Sequence, residues 1–255
     1  MSIYNCLLII SFDFQSGSAE LPIDKRMTTK NVALIVCFTA LYVALSFLPM
    51  FQMIGLFNTI TVATIIVPLM GVILGRYLGA MSAFFGGVLA LFLSPIFAYP
   101  SLIAGPVTAF CAGSLFAGKR NACILVYLVL MVVFAFYPAV GPVWLFPLVM
   151  WFHIVGFLIL ISPLQSYAVR SFKSENPDKL FVAFLVTTLV STLAGQVAGT
   201  LAFEAVLFDA NSLKSSWVAL TVAYPVERII IAAIASAIGA PLLRVLRSAN
   251  LIQRL

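Results

Sequence analysis

Five polar residues that could take part in chemistry lie inside otherwise apolar stretches of the second half of the chain. They are His153, Gln196, Glu204, Glu227 and Arg228. An ionisable group in an apolar segment is costly to bury, so it commonly serves a polar solute, a proton path or an ion pair. A guanidinium and carboxylates can bind a polar solute through charge-assisted hydrogen bonds.

Each of these groups also has a purely structural interpretation. Arg228 can pair with Glu227 or with Glu204, because a buried guanidinium has several donors that a carboxylate satisfies. Glu204 can instead be an interfacial residue, and His153 a hydrogen-bonded residue at a helix contact. Neighbours in a helix point about 100° apart, so we expect one of Glu227 and Arg228 to face a cavity while the other braces a helix contact.

Aromatic residues near the predicted outer ends of the helices can add stacking surfaces to the same region. They are Tyr99, Trp144, Trp217 and Tyr224, although anchoring at the membrane interface explains the tryptophans equally well. The polar groups come from three C-terminal helices and converge on one side, which predicts a pocket open to the outside. The predicted substrate-binding residues are His153, Gln196, Glu204, Glu227, Arg228, Tyr99, Trp217 and Tyr224.

Composition places these residues in an integral membrane protein. Of 255 residues, 63% are hydrophobic and 9% are charged, whereas a soluble domain has about 25% charged residues. Long apolar runs predict the all-α class, as a polytopic membrane helix bundle. The chain has a single histidine and no CxxC pair. We therefore expect no metal site, no cofactor and no enzyme activity, and no nucleic-acid partner.

The apolar runs predict about eight spans. They lie at about 31–48, in the two halves of 58–93, and at 101–117, 122–137, 144–167, 180–205 and 217–246, with a bend near Pro163. We expect residues 1–30 to form a tail, in which Met27 is a possible true start. Residues 31–248 form the predicted transmembrane domain, and 249–255 a cytoplasmic tail.

Small residues recur every fourth position in 58–93, a stretch too long for one span. A stripe of small residues lets two helix backbones approach closely in lipid. We therefore predict a tight helical hairpin, folded at 75–77, against which the other helices pack. The predicted helix-packing residues are Gly71, Gly75, Gly79, Ala83 and Gly87.

The positions of the basic residues predict the orientation of the chain. With both termini in the cytoplasm, only Lys214 and Arg228 of the 14 basic residues lie toward the outside. Short cytoplasmic loops carry an excess of lysine and arginine, so this arrangement is favoured over its inverse. The predicted location is the cell membrane.

Three segments carry a resemblance to a known family. They are ALYVALSFLP in the first predicted helix, VPLMGVILGRYLGAMSAFFGGVLA in the hairpin, and the later AGPVTAFCAGSLFAGK. Together with a last helix that ends in basic residues, they resemble the substrate-binding (S) subunits of energy-coupling factor (ECF) vitamin transporters.

The resemblance implies a mode of action and a set of partners. It implies that Ala40 and Ala44 dock on a transmembrane coupling subunit, which is driven by two cytoplasmic ATPases. It also implies an outward-opening site for a vitamin or similar cofactor precursor, built from later helices and outer loops. A self-contained secondary transporter or channel, with Glu204 or Glu227 linked to a proton or ion, is the alternative function.

Overall fold

The computed structural model describes residues 29–52, 59–136, 150–206 and 210–248, without the side chains of 29–31, 210–217, 219 and 220. The predicted tails, most of the turn around Trp144, and the side chain of Trp217 lie outside this part. The chain divides into two compact units, Met1–Ala33 and Leu34–Leu255. The packing described below concerns the second unit.

The described elements are mostly helical, in agreement with the predicted class. In chain order they are α1 (Thr29–Leu45), β1 (Pro49–Gln52), β2 (Thr59–Thr61), α2 (Ala63–Leu74), α3 (Arg76–Leu93), α4 (Pro100–Phe116), α5 (Arg120–Ala135), α6 (Trp151–Ile161), α7 (Pro163–Ser171), α8 (Pro177–Val206) and α9 (Ala210–Ser248). Two differences from the sequence prediction follow. α9 begins about two turns earlier than expected, and a small sheet was not expected.

The unexpected sheet consists of β1 and β2, which pair antiparallel with Phe51 opposite Ile60. Residues 53–58, which connect the two strands, lie outside the described part of the chain. Strands of four and three residues are too short to produce a recognisable alternation of polar and apolar side chains.

The predicted hairpin fold in 58–93 is confirmed. Gly75 separates α2 from α3 and has a backbone φ of 82°, a value that residues other than glycine rarely adopt. A Cβ atom on Gly75 would meet nothing within 4 Å. Gly75 therefore acts as the turn residue rather than as a packing residue.

The predicted bend near Pro163 is also confirmed, since α6 and α7 meet at 63°. Pro163 has no N–H and cannot continue the hydrogen-bond ladder of α6. The Ser162 hydroxyl accepts a hydrogen bond from the Leu164 amide at 3.2 Å and caps α7. On the other side of the break, Arg120 donates to the carbonyls of Leu160 at 2.7 Å and Ser162 at 3.1 Å. These bonds satisfy carbonyls that the broken helix leaves exposed.

The central helix of the bundle is α8, not the 58–93 hairpin that we expected to hold this place. α8 contacts α4 most extensively, and also α9, α7, α6, α5 and α2. Of the most apolar 18 consecutive residues of α8, 78% are buried, whereas the corresponding value for α3 is 33%. Its buried hydroxyls bond to carbonyls of their own helix, as Thr192 does to Thr188 at 2.8 Å. A helix can therefore carry them without leaving unpaired donors in an apolar interior.

Three described helical segments are long and apolar enough to cross a membrane. They are Arg76–Leu93, Pro177–Val206 and Thr221–Ser248, and the bent pair α6–α7 makes a fourth if it counts as one span. Four more apolar helices have 10–17 residues, fewer than the about 20 that a straight span needs. The eight spans and their orientation therefore stay predictions.

Candidate functional site

A cavity lies among α1, β2, α2, α4, α8 and α9, and two helices supply most of its wall. After Pro100 at its first position, α4 contributes Ser101, Ala104, Gly105 and Thr108, and α8 contributes Gln196, Gly199, Thr200 and Phe203. Both sets have the spacing i, i+3, i+4, i+7, which places each set on one face of its helix. The two faces oppose each other and combine small residues with hydroxyls and one amide.

Close approach of α4 and α8 below this wall depends on Gly195. A Cβ atom there would overlap the Thr108 hydroxyl and would lie 2.6 Å from the carbonyl oxygen of Ala104. A Cβ on Gly199 would lie 3.2 Å from the Ala104 side chain. Because glycine has no side chain, the two helices can approach closely at these positions. The cavity is the space that remains beside this contact.

The cavity is narrow in the structure. The volume that water-sized molecules can enter is about 60 Å³, whereas all empty space between the lining atoms, including its open part, is about 770 Å³. The larger value includes open space outside the wall. One water needs about 10–15 Å³ by this measure, so the enclosed part holds a few waters or a small group.

Three predicted residues line the cavity together: Gln196, Tyr224 and Arg228. The Tyr224 hydroxyl lies beside the side chains of Thr200 and Gln196. Gln196 is 4% exposed, and neither its amide nitrogen nor its amide oxygen makes a hydrogen bond of ordinary geometry within the described part of the chain. A buried amide without a partner is costly, which is the condition in which a ligand or water gains by binding.

Arg228 forms an ion pair with Glu227, one of the two carboxylates with which the sequence allowed it to pair. Arg228 Nη2 lies 2.8 Å from Glu227 Oε1, and both residues are buried. The contact is close but does not have the direction of a hydrogen bond, as expected for side chains that leave the helix about 100° apart. Arg228 lines the cavity and Glu227 does not, so the guanidinium faces the cavity and the carboxylate balances its charge.

Two further predicted residues do not line the cavity. Glu204 lies eight positions after Gln196 on α8, about 12 Å further along the helix axis. It is completely buried, and neither carboxylate oxygen has a hydrogen-bond partner among the described residues. His153 is buried in α6, where its carbonyl accepts a hydrogen bond from the Tyr127 hydroxyl at 3.0 Å.

Tyr99 lies next to the cavity rather than in its wall. Its hydroxyl donates to the carbonyl of Phe203 at 3.5 Å, while Phe203 and the adjacent Pro100 line the cavity. Partial burial raises the pKa of Tyr99 above its usual value; a tyrosine hydroxyl is a hydrogen-bond donor at neutral pH even without such a shift. Tyr99 thus connects α8 to the loop before α4.

Sequence reasoning missed most of the wall because it searched for charges. Tyr42, Thr64, Ser101, Thr108 and Thr200 all line the cavity, and none was predicted. A partial signal was present, since 101–108 has small or hydroxyl residues at all four of the positions i, i+3, i+4 and i+7, and 196–203 has them at i+3 and i+4. This spacing indicates two helix faces that can be approached closely, but it does not indicate that the two faces lie opposite each other.

The arrangement contains groups that can bind a solute. It offers an amide, hydroxyls, a charge-balanced guanidinium and aromatic surfaces, which together can bind a small polar solute. In the described residues, no three histidine, cysteine, aspartate or glutamate side chains are grouped as a metal site requires. No family model, curated protein or solved structure matches this chain significantly.

Proposed function

We propose that the chain is the substrate-binding subunit of an ECF-type uptake transporter, embedded in the cell membrane. Its substrate is a vitamin or similar small cofactor precursor, and separate transmembrane and ATPase subunits supply the energy. The observation that supports this proposal best is the cavity in which Gln196 offers an unpaired buried amide beside Tyr224 and Arg228. The resemblance in sequence supplies the transporter class.

The chemistry of the wall restricts the substrate. Gln196 can donate two hydrogen bonds and accept two, while Glu227 already balances the charge of Arg228. The apolar faces of Tyr42 and Phe203 complete the wall. A small solute with a ring and several neutral hydrogen-bonding groups meets these conditions better than a strongly charged one, which would leave its charge without a counter-ion.

The narrowness of the cavity implies movement during binding. A vitamin-sized solute needs several hundred cubic ångströms, more than the about 60 Å³ now enclosed. We propose that β2 and the cavity end of α9 move away from α4 to admit the substrate. These elements contribute Ile60, Tyr224 and Arg228 to the wall, whereas α4 and α8 are held together by Gly195.

An exposed face of α1 provides a surface for the coupling subunit. Cys37, Ala40 and Ala44 lie on one face of this helix and are all exposed, so this stripe is not covered by other described residues. Side chains of this size allow another helix to approach closely in lipid. We propose that the coupling subunit packs on this face.

The proposed topology has eight spans with both termini in the cytoplasm. The shorter helices would have to cross with help from adjoining segments or local thinning of the bilayer. A reporter fused after Arg120 or inserted within 171–178 is expected in the cytoplasm, and one inserted near Asn211 outside. An external signal from 171–178 would overturn the orientation.

Binding can be tested by exchanging the amide that lacks a partner. We expect one member of a panel of water-soluble vitamins to raise the melting temperature of the purified chain, because a ligand stabilises by RT ln(1 + [L]/Kd). Gln196→Met should remove this increase while the apo protein melts at the same or a higher temperature, since an unpaired buried amide has been replaced.

A matched control for this exchange is Gln165→Met. Gln165 is also buried, but its amide nitrogen donates to the Thr187 hydroxyl at 3.4 Å, away from the cavity. This variant should keep the ligand response. Loss of the response in the control but not in Gln196→Met would refute the proposed site. Purification of the chain from its source should also recover the coupling subunit and ATPases.

Glu204 supports a second candidate, a secondary transporter that works alone. A completely buried carboxylate without a described partner is suited to taking up and releasing a proton in a membrane. Proteoliposomes that contain only this chain distinguish the two functions. Uptake driven by a proton gradient, and abolished by Glu204→Gln, would establish the alternative and refute dependence on ATPase subunits.

A further inference from the structure

A second cavity lies at the opposite ends of α8 and α9 from Glu204 and Tyr224. It is formed by the segment between α7 and α8 together with the last turns of α9, and water-sized molecules can enter about 280 Å³ of it. Three basic residues and one acidic residue line it: Lys173, Arg244, Arg247 and Glu175. In the sequence, the three basic residues contribute only to the predicted orientation of the chain.

Arg247 gives this cavity a fixed wall. One of its terminal nitrogens donates to the Phe172 carbonyl at 2.6 Å, which connects the end of α9 to the end of α7. Leu180, the apolar lining residue, is fully buried, and so is Phe172. The cavity is therefore built on packed residues and does not depend on two exposed side chains meeting by chance.

Lys173 and Arg244 supply positive charge that the structure leaves uncompensated. Both are exposed, and in the described part of the chain neither lies within 4.0 Å of a carboxylate. Glu175 lines the same cavity without forming an ion pair with either of them. Three cations against one carboxylate leave a net positive charge around a space large enough for an anionic group.

We propose that this basic cavity binds a phosphate group. The tetrahedral oxygens of phosphate accept bonds from a guanidinium and an ammonium at once. The favoured source is an anionic phospholipid, because Leu180 and Arg244 are followed by the exposed apolar residues Phe181 and Val245. Basic pockets between helices at the cytoplasmic surface bind lipid headgroups in this way. This inference does not depend on the proposed substrate.

The test measures melting of the purified full chain in neutral detergent. One series adds phosphatidylglycerol, a second phosphatidylcholine and a third inorganic phosphate. We expect saturable stabilisation by phosphatidylglycerol and none by phosphatidylcholine. Saturable stabilisation by inorganic phosphate that phosphatidylglycerol cannot exceed would assign the same cavity to a soluble phosphate instead.

Two double variants locate the effect. Lys173→Gln with Arg244→Gln should weaken binding of phosphatidylglycerol about tenfold or more, since each basic residue near an anionic headgroup contributes about fivefold. Arg170→Gln with Lys179→Gln is the matched control, because both residues are exposed and lie outside the cavity. If both double variants weakened phosphatidylglycerol binding equally, the effect would depend on the overall charge of the protein, and the proposed site would be refuted.

A gain-of-affinity variant keeps the test decisive if the first pair fails to fold. Glu175→Gln removes the only acidic side chain among the lining residues, so binding should tighten about fivefold. Asp178→Asn, at an exposed residue outside the cavity, should leave binding unchanged. Weaker or unchanged binding in Glu175→Gln would refute the proposed phosphate site.

Discussion

Two stripes of small residues in this chain look alike in sequence and behave differently in the fold. Gly71 and Gly79 are buried at the contact between α2 and α3, and a Cβ on Gly79 would lie 2.8 Å from the Gly71 Cα. Ala40 and Ala44 lie four residues apart on α1, the interval at which small residues recur in 71–87, yet both are exposed. One stripe is covered by this chain and the other is not.

The difference shows what a small-residue stripe predicts. It identifies a helix face that a backbone can approach closely, but it does not identify the helix that approaches. Within α3, Gly86 faces the ring of Tyr42 in α1, at 2.9 Å for a Cβ atom placed there, and the buried Gly87 faces Leu102 in α4, at 3.2 Å. Substitutions can establish which stripe serves this fold and which serves a partner.

The largest effect is expected at the covered stripe. In Gly71→Ala the new methyl would overlap the carbonyl oxygen of Ala109 and lie 2.9 Å from its carbon. Because backbone atoms cannot rotate away, α2 and α4 must separate, and we expect a loss of about 1–3 kcal/mol in the free energy of unfolding. Thermal melting in detergent measures it.

Gly87→Ala is the matched control for this change. Its methyl would meet the end of the Leu102 side chain at 3.2 Å, and a leucine side chain can adjust. Alanine is also the better helix former by about 1 kcal/mol. The melting temperature should therefore stay the same or rise, and an equal fall in both variants would show that close backbone approach is not the cause.

An intermediate effect, on binding alone, is expected at Gly105. Its methyl would lie 3.6 Å from the Tyr42 hydroxyl, an ordinary contact, so the fold should be unaffected. Gly105 lines the cavity, however, and a methyl group removes part of a small volume. We expect the affinity for the substrate found in the vitamin panel to fall about tenfold, the equivalent of 1.4 kcal/mol. Unchanged affinity would place the substrate elsewhere.

The smallest effect on the isolated chain is expected at the exposed stripe. Ala40→Trp with Ala44→Trp adds bulk where nothing in the described structure packs. The free energy of unfolding should therefore change by less than about 0.5 kcal/mol. Co-purification of the coupling subunit and substrate uptake should nevertheless be lost. Leu128→Trp, on the exposed side of α5, should affect neither, and normal uptake by the double variant would refute the coupling surface.

The candidate site shows the same limit of sequence reasoning. Gln196 and Arg228 were predicted because polar residues in apolar helices are rare and conspicuous, and Tyr224 because its aromatic ring can provide a stacking surface. Ser101 and Thr200 were missed because hydroxyl residues are common in membrane helices, where they bond to their own backbone. Thr200 does so, with its hydroxyl donating to the carbonyl of Gln196 at 3.0 Å. Only their position opposite each other makes these residues part of a wall.

The sequence by itself determined where the helices break. The turn at Gly75 and the bend at Pro163 depend on properties of one residue, a positive φ that glycine allows and an N–H that proline lacks. Tertiary structure alone decided that α8 is central, that Arg228 rather than Glu227 lines the cavity, and which stripe of small residues is covered. These features depend on contacts between residues far apart in the chain, and the same local pattern is compatible with several partners until the helices pack.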